Sequence, residues 1–208
     1  MMTIEVRAAR AGDAKKMGAL HAARINEGFL ASLGEGFLTR LYRRVAASPD
    51  AFAAVAVDER GEVVGFVATA LNVSTLYRRF IVRDGAVAAI ASASKLVRSW
   101  RRVLETLRYP SHASQLPAPE VLSVAVAASA AGRGVGRALL ASAQRELERR
   151  EVQAVKVVTG SHNTAAMALY RSAGFHEVET IEVHAGVQST VLVWNAPILH
   201  VVHDRGAK

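Results

Sequence analysis

The amino-acid sequence predicts an α/β fold in which helices flank a central mixed sheet. Two observations lead to this prediction. Short β-rich runs and longer helical patterns follow one another as strand, two helices, three strands, helix, strand, helix and two strands, with no internal repeat. The 208 residues are 51% hydrophobic and 21% charged, which is enough to bury a full core.

In the first half of the chain, hydrophobic periodicity predicts a strand, two helices and then two strands. Their ranges are 3–8, 14–25, 36–47, 51–57 and 63–71. The last two runs are separated by the polar, glycine-containing segment 58–62, which is typical of a hairpin turn. We therefore expect these two strands to pair antiparallel.

In the second half, an apolar run predicts a buried strand, and a glycine-rich turn precedes the next helix. The predicted ranges are strand 120–127, helix 137–150, strand 155–158, a helix from 163 that ends before Gly174, and a closing hairpin of 176–184 and 188–194. Gly174 suits the left-handed position that often follows a helix.

Positive charge is concentrated between residues 73 and 110. Eight basic and two acidic residues there account for +6 of the net +8. A helical core at 87–107 is expected, and we interpret 73–119 as a basic helical insertion within a domain spanning 1–196, followed by a tail at 197–208. Three roles stay open for the insertion: a solvated arginine-rich helix, a clamp for an anionic acceptor, or a membrane-surface helix.

Composition also excludes several classes of function. The absence of cysteine excludes disulfides, thiolate metal sites and cysteine-linked acyl intermediates. No metal site is predicted, since the one close histidine pair, His200 and His203, lies in the tail. No aromatic-rich motif accompanies the arginines, so a nucleic-acid partner is not predicted. No apolar run is long enough for an integral membrane segment, and we expect a cytoplasmic protein.

The turn between the strand at 120–127 and the next helix contains three glycines in five residues, Gly132, Gly134 and Gly136. A strand-to-helix turn of this kind directs unpaired amides and the positive end of the helix dipole toward one point, where a phosphate can bind. The pattern lacks the Lys-Ser or Lys-Thr of a P-loop and has Arg137 where a dinucleotide fingerprint has glycine. A tight turn without a ligand is the alternative interpretation.

Two motifs resemble those of the GNAT superfamily of acyl-CoA N-acyltransferases. The segment Ala131-Gly132-Arg133-Gly134-Val135-Gly136 is similar to the CoA-binding turn of that family, with Ala131 where Arg or Gln is usual. The segment 163–175 matches every fixed position of a second motif, Asn, any two, Ala, any two, Leu-Tyr, any three, Gly-Phe. The resemblance covers about 51–195 well and the insertion not at all.

The resemblance implies a mostly antiparallel mixed sheet of about seven strands, with a splay between strands 4 and 5 and the insertion between strands 3 and 4. It also implies that acetyl-CoA is the acyl donor. The implied cofactor-binding residues are Val124, Ala125, Val126, Ala131, Gly132, Arg133, Gly134, Val135, Gly136, Arg137 and Asn163. Among these, Val124 would supply an oxyanion N–H. Asn163 would reach the pantetheine, and it also fits a plain helix N-cap.

For catalysis, the resemblance implies that Tyr170 protonates the departing CoA thiolate and that Glu120 accepts the proton of the amine, often through water. The alternatives are a core tyrosine and a solvated strand end. The acceptor amine is expected near the loop 26–34, where Glu27 could hold a cation or simply lie on the surface, and near the turn 185–188.

The predicted function is transfer of an acetyl group from acetyl-CoA to a primary amine of a small molecule or amino sugar. The alternatives are a protein or peptide N-acetyltransferase and a CoA-binding regulatory module without catalysis. The predicted partners are acetyl-CoA, a small amine, an anionic acceptor at the insertion and a second copy of the chain in a homodimer.

Overall fold

A computed structural model describes residues 3–25, 34–80, 82, 116–184 and 187–197. Seven strands form one sheet: β1 (Glu5–Ala8), β2 (Ala51–Val57), β3 (Val63–Ala70), β4 (Glu120–Val126), β5 (Ala154–Gly160), β6 (His176–His184) and β7 (Val187–Asn195). Their order across the sheet is β1-β2-β3-β4-β5-β7-β6. The predicted mixed α/β sheet is confirmed, with each predicted strand present.

The sheet consists of two antiparallel halves that meet at one parallel junction. β1 to β4 pair antiparallel in sequence order, and β5, β7 and β6 form the second antiparallel group. β4 and β5 are parallel and share a single register pair, Glu120 with Lys156. Beyond that pair the two strands separate, which confirms the expected splay between strands 4 and 5.

Helices cover both faces of the sheet. They are α1 (Ala14–Arg24), α2 (Glu35–Ala47), α3 (73–80), α4 (Val135–Arg149) and α5 (Thr164–Ser172). The first three helices pack on one face and α4 and α5 on the other. Gly174 follows α5 with φ of 84°, so the left-handed conformation predicted there is confirmed.

Helix α3 was not among the elements predicted from the sequence. Its Leu76 and Phe80 side chains are 0% and 2% exposed and belong to the core cluster of α1 and α2. The start of the segment interpreted as a basic insertion is therefore part of the core. The helical core predicted at 87–107, the loop residues 26–33 with Glu27, the turn residues 185–186 and the tail from 198 lie outside the described residues.

Alternation along the central strands supplies both halves of the core. Val55 and Phe66 point to the α1 and α2 face, whereas their neighbours Ala54 and Val67 point to the α4 face. Because a strand residue faces the opposite side from its neighbours, a sheet buried on both faces shows continuous apolar runs. β2 is buried at each of its seven positions.

Candidate active site

The gap between β4 and β5 is lined by backbone groups of β4. The Ala127 amide donates to the Val64 carbonyl of β3 at 2.7 Å. Since backbone groups alternate in direction along a strand, the N–H and C=O groups of Val124 and Val126 point the other way, toward the gap. Ala125 is in register with Phe66, so its backbone groups face β3 and not the gap.

A β-bulge in β4 determines which residues face this gap. Ala68 pairs with Ser123, but the next β3 residue, Thr69, pairs with Val121, so that Leu122 is an extra residue in β4. A bulge reverses the alternation beyond it. Val121 accordingly packs on the α4 face, whereas Ser123 is buried among α1 and α2 side chains.

One cation already contacts the gap. Arg24, the last residue of α1, donates from Nε to the Val126 carbonyl at 3.1 Å. The carbonyl keeps a second lone pair. Arg24 therefore marks the edge of the gap at the C-terminal end of α1.

The predicted phosphate-binding turn lies at the end of β4 and begins α4. Gly132 and Gly134 have φ of 71° and 76°, which only glycine adopts without strain. In the described part of the chain, none of the six amides from Gly132 to Arg137 makes a well-aligned hydrogen bond to a backbone carbonyl, and no side chain caps the start of α4. The turn residues 131–134 are exposed, so these amides and the positive helix terminus can receive an anionic group.

The second motif lies directly beside this turn. A Cβ at Gly136 would come within 3.1 Å of the Leu169 side chain, so the glycine allows α5 to approach the first turn of α4. Tyr170, the next residue on α5, is 6% exposed and packs against Phe175 with ring centroids 5.6 Å apart. Burial raises the pKa of its hydroxyl, and Tyr170 therefore stays protonated at neutral pH.

Asn163 caps α5. Its Oδ1 accepts a hydrogen bond from the Ala166 amide at 3.1 Å, as the N-cap interpretation predicts. The Nδ2 group takes no part in the cap. Contact between that amide and the pantetheine stays a prediction.

Glu120 stands at the closed end of the gap, where β4 and β5 meet. Its Oε2 lies 3.6 Å from Lys156 Nζ, and Lys156 also donates to the Pro117 carbonyl at 2.6 Å. Burial raises the pKa of Glu120, and the charge and hydrogen bond of Lys156 oppose that rise. The negative charge of Glu120 also helps burial to raise the pKa of Tyr77 on α3.

The two predicted catalytic residues lie on opposite faces of the sheet. Glu120 is in register with Ala70, a core residue of the α1 and α2 face, whereas Tyr170 belongs to the cluster of α4 and α5. Along β4, Glu120 lies four residues from Val124, which is about 13 Å at about 3.3 Å per residue. A proton passing from an amine near Val124 to Glu120 therefore needs intervening water.

Sequence reasoning missed a buried polar cluster beside the bulge. His21 of α1, Tyr42 of α2 and Ser123 of β4 are 2%, 0% and 5% exposed and contact one another through side-chain polar atoms. A signal was present, because His21 and Tyr42 occupy the apolar stripes of their helices and buried polar groups need partners. Lys156, a cation inside an apolar strand, carried a similar signal.

The chain was compared with protein-family models and with curated proteins. The model of the acetyltransferase (GNAT) family matches residues 22–175, whereas a search of curated proteins by sequence found no match. No helix in the described ranges is long and apolar enough to cross a membrane.

Several solved structures share the fold. The chain is similar to the ribosomal-protein-S18-alanine N-acetyltransferase of Escherichia coli (14% identity, 94% of this chain and 96% of that chain, TM-score 0.59). It is also similar to NAA60 of Arabidopsis thaliana in complex with acetyl-CoA (18% identity, 93% of this chain and 98% of that chain, TM-score 0.59). A third similar structure is an IAA acetyltransferase from Bacillus cereus (14% identity, 93% of this chain and 99% of that chain, TM-score 0.51). With a family model matched over most of its length and both motifs in the expected structural context, the chain belongs to the GNAT acetyltransferase family.

Proposed function

We propose that this protein transfers an acetyl group from acetyl-CoA directly to a primary amine of a small molecule or amino sugar. The observation that carries the proposal is that two sets of backbone groups that no strand pairs with in the described residues lie at one end of the sheet. The amides of residues 132–137 begin α4, and the backbone groups of Val124 and Val126 line the gap that leads there.

Acetyl-CoA matches both sets of groups. Its diphosphate is an anion that the amides and the helix terminus can hold. Its pantetheine arm carries amides that can pair with β4 in place of a neighbouring strand. One similar structure, that of Arabidopsis NAA60, contains acetyl-CoA.

The chemistry forms a C–N bond between the acetyl carbon and the amine and breaks the C–S bond of the thioester. The Val124 N–H would stabilise the oxyanion, an effect worth about 3 kcal/mol for one well-placed donor. Glu120, acting through water, would take the proton that the amine loses. Tyr170, which is protonated at neutral pH, would protonate the leaving thiolate.

The comparisons do not distinguish between a small-molecule acceptor and a protein or peptide acceptor. The similar structures include an enzyme named for a ribosomal protein, which favours a protein or peptide acceptor as the second candidate. A CoA-binding module without catalysis is the third. We also keep as proposals an anionic acceptor at the insertion, a homodimer and a cytoplasmic location.

A free-thiol release assay tests these alternatives together. Wild-type protein and acetyl-CoA would be incubated with amines, amino sugars and peptides with free N-termini. We expect thiol release that depends on a small amine, with a product heavier than the amine by one acetyl group. Release with peptides alone would identify the second candidate. Acetyl-CoA binding without release on any panel member would favour the regulatory module.

The same assay tests the basic insertion. Neutralising Arg98, Arg101 and Arg102 together should raise the KM of an anionic acceptor without changing acetyl-CoA affinity. Vesicle binding that falls in the same variant would indicate a membrane-surface role, and unchanged values would favour a solvated helix.

A further inference from the structure

The buried residues Ser123, Tyr42 and His21 connect the bulge of β4 to the two helices above it. Ser123 Oγ donates to the Leu122 carbonyl at 2.6 Å. Tyr42 Oη donates to Ser123 Oγ at 3.1 Å, and His21 Nδ1 lies 2.5 Å from Tyr42 Oη. Leu122 is the extra residue of the bulge, so the chain of contacts ends at the irregular point of the strand.

The number of protons available fixes the direction of these bonds. Each hydroxyl has one proton, so a Tyr42 hydroxyl that donates to Ser123 must accept from His21 Nδ1–H. Burial lowers the pKa of His21 to about 4. The imidazole is therefore neutral at pH 7, and its proton lies on Nδ1 when Tyr42 donates to Ser123. Its Nε2 atom is buried and has no partner within the described ranges.

The bulge controls the direction of the Val124 amide. Without the extra residue, Ser123 would lie on the same face as Val121, and the backbone groups of Val124 would face β3. With the bulge, the Ser123 side chain points to α1 and α2 and the Val124 N–H points to the gap. Holding Ser123 on that face therefore also holds the direction of the peptide group between Ser123 and Val124.

We propose that Ser123, Tyr42 and His21 are positioning residues that hold the β4 bulge and so direct the Val124 N–H at the acetyl carbonyl. This inference rests on the proposed function, because it requires acetyl-CoA in the gap. The network touches none of the reacting atoms. Its effect is to keep one hydrogen-bond donor in place before the reaction begins, which is how preorganised donors act in catalysis.

Infrared difference spectroscopy tests the proposal without an acceptor. Acetyl-CoA labelled with ¹³C at the carbonyl carbon would be bound to wild type, Tyr42→Phe and Ser123→Ala. We expect a lower carbonyl frequency in wild type than in water and a return toward the solution value in both variants. Calorimetry should show that the variants bind acetyl-CoA with an affinity within about 3-fold of wild type. Only the hydrogen bond to the thioester carbonyl is weakened, and a 3-fold change in Kd corresponds to about 0.7 kcal/mol.

The matched control is Thr69→Val, which removes a buried hydroxyl that has no partner in the described residues. We expect it to keep the wild-type carbonyl frequency and kcat. With a competent amine, Tyr42→Phe and Ser123→Ala should each lower kcat about 10-fold or more, and the double variant should be no worse than the single variants, because the hydroxyls act as one unit.

The outcomes separate the two proposals. If wild type does not bind acetyl-CoA, the proposed function and this inference are both overturned. If wild type binds and the carbonyl frequency is the same in wild type and in the folded network variants, the inference alone is overturned. Ser123→Ala decides the question if Tyr42→Phe does not fold.

Discussion

Gly134 provides the sharpest test of the phosphate-binding turn. It has φ of 76° and ψ of 2°, and a Cβ built there would meet nothing within 4 Å. A larger side chain therefore creates no clash within the protein. The cost is conformational, on the order of 1–2 kcal/mol for a non-glycine residue in the left-handed region, and more for a β-branched one.

We expect Gly134→Val to avoid this cost by leaving the left-handed conformation, which rotates the amides of 132–137 away from a common point. Restoring these amides to a common point would use part of the binding energy of the ligand, so a cost of at least 1–2 kcal/mol weakens acetyl-CoA binding by about 5- to 30-fold or more. Gly134→Asn should lose less acetyl-CoA affinity than Gly134→Val, because asparagine adopts the left-handed conformation more easily than valine.

Calorimetry with acetyl-CoA and kinetics with acetyl-pantetheine, which lacks the diphosphate, would measure the effect. Gly134→Val should lose affinity for acetyl-CoA and keep its rate with acetyl-pantetheine. The control is Gly36→Ala in α2, where a Cβ also meets nothing and helix propensity favours alanine by about 0.5–1 kcal/mol. Wild-type acetyl-CoA affinity in a folded Gly134→Val protein would refute the assignment of the turn.

Three further predictions concern titratable groups. Tyr170→Phe should lower kcat about 10²-fold with little change in acetyl-CoA affinity, because the ring and its packing remain while the proton donor is lost; wild-type kcat would remove Tyr170 from the mechanism. Lys156→Met should shift the acidic limb of the pH–rate profile to higher pH, because Lys156 lowers the pKa of Glu120, which burial raises. Glu120→Gln should lose rate at neutral pH and recover activity at high pH, where more of the amine is unprotonated. If both pH–rate profiles are parallel to that of wild type, Glu120 is not the base. The folded-state pKa of His21 is about 4 against an ordinary 6.5, so the unfolded chain binds the proton more tightly and stability should fall by on the order of 3 kcal/mol as the pH drops from 6.5 to 4. Urea unfolding measured between pH 6.5 and pH 4 should show that the free energy of unfolding of His21→Asn depends less steeply on pH than that of wild type. An equal pH dependence would contradict the low pKa of His21.

Local pattern was sufficient to predict most elements of the fold. The continuous apolar runs at 51–57 and 63–70 and the helical stripe of α2 are patterns of residues that are close together in the chain. The range 51–57 agrees with β2 at both ends. α3 was missed because the arginines at 78 and 79 made the segment look solvated, while Leu76 and Phe80 alone gave too short an apolar stripe to identify a buried helix.

The strands, the helices other than α3, the glycine turn and the family motifs could thus be predicted from the sequence, because each depends on residues close together in the chain. Tertiary structure decided how distant residues meet. The contact of Ser123 with His21 spans 102 positions, and the pairing of Glu120 with Lys156 depends on the register of two strands that join at one point. The bulge at Leu122 decided which amides face the gap. A one-residue change of register reverses every side chain and backbone group beyond it, and only packing against α1 and α2 selects the register that occurs.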